Sequence, residues 1–396
     1  MVILLKNNKG FNLLSVVIIM CVTSVISAVT AGIIVTNNYG LSSKVITDDK
    51  ELSDFLKAYS SIVDNYYEDI NKEEMLDAAL NAMLSYLDDN YTTYLNSSQR
   101  KDLEERLAGS YKGIGISIQG REIKTVNANS PAQKAGLQVG DIFMSVDGVD
   151  CTNLSNGGIS GLIKDNKKDS VSISVQRGEE LLSFNVDLAT IETSAITYNI
   201  MENKVGYLKM NIFSRTIPTQ VKSALSDLEN QQMDKLIIDL RDNTGGYLDS
   251  AQKIANLFLK KGKTIYSLQN KNKTEKYNDD TEEHKTYPIV VIINGNTASA
   301  AEILAAALKD SYNATIVGET SYGKGKVQQT YDMEDGAMAK YTSAKWLRPN
   351  GECVDKKGIT PDYEAKLTYE YDEQGNEIST IDTQLSKAIE VISTFN

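Results

Sequence analysis

Histidine, cysteine and positive charge are all scarce in this chain of 396 residues. The one histidine, His284, stands in a charged stretch, which excludes a zinc site built on several histidines and disfavours a Ser-His-Asp triad. Three cysteines imply no disulfide framework, although Cys151 and Cys353 remain one candidate bridge. The formal net charge of −12 disfavours nucleic acid and anionic lipid surfaces, which require a cationic footprint. We therefore predict no metal, no cofactor and no nucleic-acid partner.

An uncharged apolar run covers residues 11–35 near the amino terminus. A helix of this length spans roughly 30 Å of hydrocarbon. Lys6 and Lys9 precede the run and acidic residues follow it, so the short amino terminus is expected in the cytoplasm and the remainder outside. The prediction is a single-pass anchor in the cell membrane with an extracytoplasmic body. A cleavable signal peptide ending near residues 29–31 is the alternative.

Three kinds of sequence follow one another after the apolar run. Apolar residues recur at helical spacing over 50–108, short β-type runs with turns fill 112–190, and strands alternate with helices from residue 204 onward. The predicted fold class is a multidomain α+β and α/β protein. Residues 267–286, rich in Lys, Asn, Asp and Glu, are expected to form a mobile surface insertion. The predicted divisions are 1–40 for the cytoplasmic stub and transmembrane anchor, 41–110 for a helical region, 111–190 for a β-rich domain, 191–365 for the α/β core and 366–396 for a carboxyl-terminal helical tail.

Ser299 is a candidate nucleophile because of the elements around it. Residues 287–309 run from an apolar strand, through a Gly-Asn-Thr turn, into a helix that starts at Ser299. Such an elbow presents a hydroxyl at the carboxyl edge of a sheet. Ser299 and Glu302 also match a capping box, in which the serine only satisfies a free amide. The motif alone leaves both roles open.

The loop over residues 318–329, GETSYGKGKVQQ, supplies a candidate general base. A serine hydroxyl needs a base to take its proton, and without histidine the candidates are lysine and carboxylates. A lysine serves only when neutral, so its reference pKa of about 10.4 must fall by roughly three units, which desolvation can achieve. Lys324 lies between Gly323 and Gly325, and Gln328 is a neutral side chain able to orient its amine. An ordinary solvated turn or a phosphate-binding loop is the alternative, and the latter requires a helix after the glycines.

A second glycine-containing loop, DLRDNTGGYLDSA at 239–251, is a candidate source of oxyanion donors. Gly245 and Gly246 can expose their backbone N–H groups, and the N–H of Ala300 at the first turn of its helix can join them. The alternative is a glycine-rich turn that only leads the chain into a helix.

Short motifs succeed one another along the chain: YTTYL at 91–95, GIGI at 113–116, NSPAQKAGLQVGDIFMSVDG at 129–148, VGYLKMNIF at 205–213, LRDNTGG at 240–246, NGNTASAAEILAAAL at 294–308, GETSYGKGKVQ at 318–328 and RPNGECVDKKGITPD at 348–362. In this order they resemble the C-terminal processing peptidases, or tail-specific proteases, which are exported serine endopeptidases with a PDZ domain ahead of a crotonase-like core. The resemblance covers roughly residues 50–365. Asn90 and Thr244 stand where family members often have proline, and neither change removes a catalytic group.

The resemblance implies a role for each candidate side chain. Ser299 is implied to be the nucleophile, Lys324 rather than Lys326 the general base, and Gln328 the residue that positions the lysine. The implied oxyanion donors are those already named on the glycine loop and at the start of the helix. The implied activity is hydrolysis of peptide bonds by a serine-type endopeptidase.

The PDZ domain implied by the resemblance binds the carboxyl end of a polypeptide. A PDZ groove adds the chain end as a strand, while amides of a glycine-containing loop hold the terminal carboxylate. Residues 111–116, YKGIGI, fit this loop, with Gly113, Ile114, Gly115 and Ile116 as the predicted contact residues. The isoleucines either line a pocket for an apolar terminal side chain or fill the core of the domain.

Two other functions compete with proteolysis of tailed substrates. One is a catalytically inactive, membrane-tethered PDZ scaffold, disfavoured because serine, lysine and glutamine are all present. The other is an acyl-CoA enzyme on the same core fold, which conflicts with export and with the PDZ motifs. Amphipathic helices over 50–108 and 381–393 are compatible with a homodimer or a regulatory partner, and equally with packing inside the chain.

Overall fold

The computed structural model describes residues 49–371 and 377–395. The chain divides into two compact units, one ending at Leu80 and the other beginning at Asn81. The predicted membrane anchor over residues 1–40 lies outside the described residues. Within the described ranges, no helix combines the length and the apolar character needed to cross a membrane.

Helices dominate the described chain up to residue 108, as the sequence predicts. Asp49 caps the first of them, because its carboxylate accepts the N–H of Leu52 at 2.9 Å. Asn96 and Gln99 form a capping box at the third. A short strand interrupts this region and joins a sheet of the core. The elements are α1 (Lys50–Asn65), α2 (Lys72–Ser85), β1 (Thr93–Leu95) and α3 (Ser97–Ala108).

A small β-rich domain follows, and its first and last strands pair with each other. Its antiparallel sheet has the strand order β3-β4-β5-β7-β8, with β6 paired to β5. Ile123, Phe143 and Ile173 are fully buried in its core. The elements are β2 (Ser110–Gly113), β3 (Ile116–Gln119), β4 (Glu122–Val126), α4 (Pro131–Ala135), β5 (Ile142–Val146), β6 (Val149–Asp150), α5 (Asn156–Lys164), β7 (Ser170–Arg177), β8 (Glu180–Asp187) and β9 (Ala189–Glu192).

A mostly parallel sheet with the order β10-β11-β12-β15-β16-β19 forms the centre of the α/β core. Strands β12 and β15 are buried along nearly their whole length, which explains their continuous apolar sequences. Because the carboxyl ends of parallel strands meet at one edge, the loops that follow β12 and β15 converge there. The strands are β10 (Ile196–Ile200), β11 (Val205–Met210), β12 (Lys235–Asp239), β15 (Ile289–Ile293), β16 (Thr315–Gly318) and β19 (Tyr363–Glu364).

A second, antiparallel sheet has the order β1-β18-β13-β14, and β17 also pairs with β18. The prediction of a mobile insertion over 267–286 is wrong for its first half, because residues 274–278 form a strand paired with β13. Tyr277 of that strand stacks on Tyr266 with ring centroids 4.6 Å apart. Its polar composition reflects a strand that is exposed at every residue except Tyr277. The strands are β13 (Thr264–Gln269), β14 (Thr274–Asn278), β17 (Lys326–Asp332) and β18 (Met338–Leu347).

Helices cover both faces of the parallel sheet. The helices α6, α7 and α8 contribute to the largest apolar cluster, whereas the carboxyl-terminal helix α9 packs with Ile237, Val290 and Val317 of the sheet. A hairpin of β20 and β21 precedes α9. The elements are α6 (Ile217–Asn230), α7 (Leu248–Ala255), α8 (Ala300–Ala307), β20 (Thr368–Tyr371), β21 (Glu377–Ile381) and α9 (Thr383–Ser393).

Cys151 and Cys353 are both free thiols, so the candidate bridge between them is wrong. Cys151 is fully buried in the apolar core of the β-rich domain. Cys353 is half-buried, and its backbone forms an isolated antiparallel β-bridge with Leu347 at the end of β18. The two residues belong to separately packed parts of the chain.

Candidate active site

Ser299 stands at the elbow between β15 and α8. Its backbone has φ 58° and ψ −120°, a conformation that residues with a side chain rarely adopt. Thr297 holds the preceding turn, because its hydroxyl donates to Leu240 O at 2.8 Å and accepts the N–H of Asn294 at 3.0 Å. A simple helix cap takes an extended backbone conformation, whereas a strained elbow is typical of an exposed nucleophile.

The capping-box match is also present, and its carboxylate makes further contacts. Glu302 Oε2 accepts the N–H of Ser299 at 2.8 Å. The same carboxylate is fully buried and accepts the Ser321 hydroxyl at 2.6 Å, the N–H of Gly323 at 2.8 Å and the N–H of Lys324 at 2.9 Å. Glu302 thereby joins the serine elbow to the loop that carries the lysine.

Lys324 lines the same cleft as Ser299 and is half-buried. Burial lowers the pKa of its ammonium, the charge of Lys340 lowers it further, and Glu302 opposes both by raising it. Its Nζ lies 4.8 Å from the centre of the Tyr91 ring, a contact that favours the charged amine. Among the described residues, no hydrogen bond joins Lys324 Nζ to Ser299 Oγ.

Gln328 lies beside a β-bulge in β17 and lines the same cleft. Its Nε2 donates to Lys326 O at 3.1 Å. In the described ranges, no hydrogen bond connects its side chain to Lys324. The structure therefore brings Gln328 into the cleft without the contact to the lysine amine that the sequence predicts.

Gly245 lies directly against the serine elbow. A Cβ at this position would stand 2.9 Å from Ser299 Cβ and 3.0 Å from Ala300 N, and φ is +101°. Its own N–H donates to the buried Asn243 Oδ1 at 2.9 Å. The N–H groups of Gly246 and Ala300 donate to no acceptor within the described residues. Of the three predicted oxyanion donors, these two are available in this arrangement.

Arg241 anchors the beginning of the glycine loop. Its guanidinium is nearly buried and donates to Asp239 of β12 at 2.6 Å and to Asp382 at 2.7 Å. Asp382 also caps α9 by accepting the N–H of Leu385 at 2.9 Å. The carboxyl-terminal helix is thus tied to the loop that carries Gly245.

The cleft has a volume of about 790 Å³. Ser299, Lys324 and Gln328 all line it, whereas His284 lines other surface pockets together with Lys285. A catalytic role for the histidine therefore has no support from its position. Cationic side chains outnumber acidic ones in the lining, which contains Arg100, Arg106, Arg215, Lys324, Lys326 and Lys340 but only Glu104 and Asp332 among the acidic residues.

Three contributors to the site were not assigned by the sequence. Glu302 was visible only as half of a capping box, and its contacts to the lysine loop depend on a chain reversal that no local pattern shows. Tyr91 and Lys340 come from segments far from the glycine loops. The YTTYL motif marked the first of these segments without indicating that a ring would lie under the lysine.

The loop at the start of the β-rich domain forms a shallow groove of about 40 Å³, lined by Gly113, Ile114, Gly115 and Ile116. Gly115 has φ +81°, and an added Cβ would stand 2.5 Å from Ser130 Cβ, so glycine is required there. The N–H groups of Ile114 and Gly115 donate to no described acceptor. Ile114 is only 2% exposed and belongs mainly to the domain core, whereas Ile116 is half-buried.

Helix α3 connects the β-rich domain with the cleft. Glu105 of this helix pairs with Lys164 at 2.9 Å, and Lys101 pairs with Asp165. Lys164 also lies over the ring of Tyr111, beside the groove. Other residues of the helix, Arg100, Leu103, Glu104, Arg106 and Leu107, line the cleft. Helix α3 therefore contacts the β-rich domain and also lines the cleft.

Comparison with known proteins identifies three segments of the chain. Residues 204–365 match peptidase family S41, residues 122–177 match a PDZ domain, and residues 29–99 match the N-terminal domain of the activating protease CtpB.

Curated relatives extend the similarity over most of the chain. The carboxy-terminal processing protease CtpA of Bacillus subtilis is 34% identical over 356 residues, which cover 88% of this chain and 76% of that protein. CtpB of the same organism is 35% identical, covering 79% of this chain and 67% of that protein. A probable CtpA-like serine protease of Staphylococcus aureus is 31% identical, covering 89% and 72%. The chain therefore belongs to the carboxy-terminal processing proteases of peptidase family S41 and is a serine-type peptidase with a PDZ domain.

Proposed function

We propose that this protein is an extracytoplasmic endopeptidase in which Ser299 is the nucleophile and Lys324 the general base. The observation that supports this most strongly is the strained backbone of Ser299, tied through the buried Glu302 carboxylate to the loop of a lysine whose pKa is lowered by burial. A structural cap would require neither the strain nor the second loop.

Catalysis requires the lysine amine to leave the Tyr91 ring and approach the serine hydroxyl. A neutral Lys324 amine then accepts the Ser299 Oγ proton while Oγ attacks the scissile carbonyl. The N–H groups of Gly246 and Ala300 stabilise the oxygen that becomes negative, and the protonated lysine gives its proton to the leaving amine, which leaves an acyl group on Ser299. Water then attacks this acyl group while Lys324 accepts the water proton and returns it to Ser299 Oγ, which releases the second fragment as a carboxylic acid. Gln328 orients the amine in that state, after its amide releases Lys326 O. Hydrogen bonds in free enzymes are often longer than in substrate complexes.

The PDZ domain supplies recognition of carboxyl tails in this proposal. The N–H groups of Ile114 and Gly115 are free to bind a terminal carboxylate, and Ile116 contacts the last side chain. Helix α3 conveys a displacement of this domain to the cleft through the Lys164–Glu105 pair.

Recognition of the tail is tested by competition. The protein is expected to cleave an unfolded model substrate with an apolar carboxyl tail, and a free peptide with the same last residues should inhibit this cleavage. The same peptide with a carboxyl-terminal amide is the matched control, and its inhibition should be at least about tenfold weaker because it lacks the charge. Fragments are read by mass spectrometry, with Ser299→Ala as the inactive reference.

The outcomes separate the proposed activities. Equal inhibition by the acid and the amide would contradict carboxylate capture. Cleavage that persists in Ser299→Ala would contradict the nucleophile. Binding of the peptide without any cleavage by the wild-type protein would favour the alternative function, an inactive PDZ scaffold.

Membrane anchoring through residues 11–35 is part of the same proposal, supported by the uncharged apolar sequence. The full chain is expected to stay in the membrane pellet through an alkaline carbonate wash. It is also expected to be digested by a protease added to intact protoplasts. Release by the wash, or protection from the external protease, would contradict the anchor or its orientation.

A further inference from the structure

Lys340 brings a second amine into the catalytic cleft. It lies on β18, opposite Thr330 of β17 and Thr93 of β1, and its side chain lines the cleft with Lys324 and Ser299. It is half-buried. Among the described residues, no hydrogen bond or ion pair engages its ammonium.

The carboxylates near the two amines are already engaged. Glu104 and Asp332, the acidic residues of the cleft lining, both pair with Arg100, at 2.8 and 3.4 Å. Asp89 pairs with Lys326 at 3.0 Å. These contacts leave little negative charge to compensate a second ammonium.

The remaining groups around Lys324 are similarly committed. The Glu302 carboxylate accepts hydrogen bonds from both loops, and Asp355 accepts the N–H of Gly325 at 3.2 Å. Burial, with a contribution from Tyr322, raises the pKa of Tyr91 to about 12, so this phenol is neutral at physiological pH. Glu302 and Asp89 favour the charged form of Lys324, and Lys340 opposes them.

We propose that Lys340 activates the general base: its positive charge disfavours a second one in the cleft and so keeps the Lys324 amine neutral and able to accept the Ser299 proton. This inference rests on the proposed Ser/Lys mechanism. A neighbouring cation is a recognised means of activating a catalytic lysine. Burial alone lowers the pKa of Lys340, whereas burial and the charge of Lys340 both lower that of Lys324, so Lys324 is the amine assigned to lose its proton first. Once that proton has left, the repulsion is relieved and Lys340 keeps its own proton over a wide range of pH.

The direction of the pKa shifts supports the proposal. Burial lowers the pKa of both amines, and the charge of Lys340 lowers that of Lys324 further. Because Lys324 works as a base only when neutral, kcat/KM should rise with pH through the pKa of Lys324. Removing the charge of Lys340 raises that pKa and shifts the rise to higher pH.

The test is the pH profile of kcat/KM for two substitutions at one position. Lys340→Met removes the charge. The rise of its kcat/KM with pH should lie about one pH unit above that of the wild-type protein. On the acidic side of this rise kcat/KM should be approximately tenfold lower than in the wild-type protein, and it should recover at alkaline pH. Lys340→Arg keeps a permanent positive charge and should leave the rise at or below its wild-type position. Lys345→Met, an exposed lysine on the same strand, is the control and should leave the profile unchanged.

Each result decides for or against the role of Lys340. A rise that stays at the wild-type pH in Lys340→Met overturns the proposal, and so does a loss of activity at every pH, because charge alone would allow recovery. An equal shift in Lys340→Arg also overturns it, because it would indicate packing. Failure of the Ser/Lys mechanism is recognised separately, because the Ser299→Ala variant would then cleave the substrate as fast as the wild-type protein.

Discussion

Lys324→Met is expected to lower kcat/KM by about 10³-fold, with no recovery at alkaline pH, because methionine cannot accept the serine proton. The substitution keeps the length of the side chain. It also keeps the two main-chain hydrogen bonds of residue 324. The N–H donates to Glu302 at 2.9 Å, and the carbonyl accepts the indole N–H of Trp346 at 2.8 Å. The loss should therefore be catalytic, and thermal unfolding should stay close to that of the wild-type protein.

Lys326→Met is the matched comparison for this prediction. Lys326 lies two residues away, faces the same Tyr91 ring at 5.7 Å, and pairs with Asp89. We expect it to affect activity far less, because its ammonium is engaged by the Asp89 carboxylate at 3.0 Å. Near-normal turnover by Lys324→Met at neutral pH, or a larger loss in Lys326→Met, would show that the base is assigned to the wrong residue.

Glu302→Gln is expected to affect stability and turnover together. The carboxylate is fully buried and accepts four hydrogen bonds, from Ser299, Ser321, Gly323 and Lys324. An amide has one acceptor oxygen, and its NH₂ group would face donors, so at least one buried N–H loses its partner. The expected cost is about 3 kcal/mol in the free energy of unfolding.

The loss of activity in Glu302→Gln has a separate geometric origin. Oε2 of Glu302 is shared by the N–H groups of Ser299 and Lys324, so losing it allows the elbow and the lysine loop to move relative to each other. We expect kcat to fall by at least about tenfold even where the protein is folded, because small misplacements of reacting groups are costly.

Urea unfolding and kcat measured below the transition separate the two effects of Glu302→Gln. The exposed Glu352→Gln serves as the control and should change stability by less than about 0.5 kcal/mol. Wild-type stability together with wild-type kcat in Glu302→Gln would contradict the linking role of this carboxylate.

The comparison of Ser299 with Gln328 shows how far sequence reasoning reaches. An apolar strand, a short turn and a helix are local patterns, so the elbow and the two glycine loops could be located from the sequence and lie at the predicted edge of the sheet. The side-chain contact of Gln328 depends on a β-bulge and on competition from Lys326 O, which no spacing encodes. The N–H of Gly245 likewise turns to Asn243 because of the loop conformation.

The wrong predictions also have physical reasons. Polar residues over 274–278 were interpreted as an insertion because an exposed strand at a sheet edge has no continuous apolar pattern. Cys151 and Cys353 are the two cysteines outside the apolar run, but Cys151 is buried in the core of the β-rich domain and Cys353 lies half-buried in another part of the chain, so the two thiols do not meet. Neither error concerns the catalytic cleft.

The sequence by itself located the helical, β-rich and α/β segments, the elbow serine and the glycine-flanked lysine, because strand, turn and helix patterns are local. The roles of nucleophile and base that we propose for this serine and lysine come from the resemblance to the C-terminal processing peptidases. Only the tertiary structure decided which charges surround the lysine. Glu302, Tyr91 and Lys340 approach it from three separate elements, and the state of a buried amine depends on solvation and charge in space rather than on neighbours in the chain.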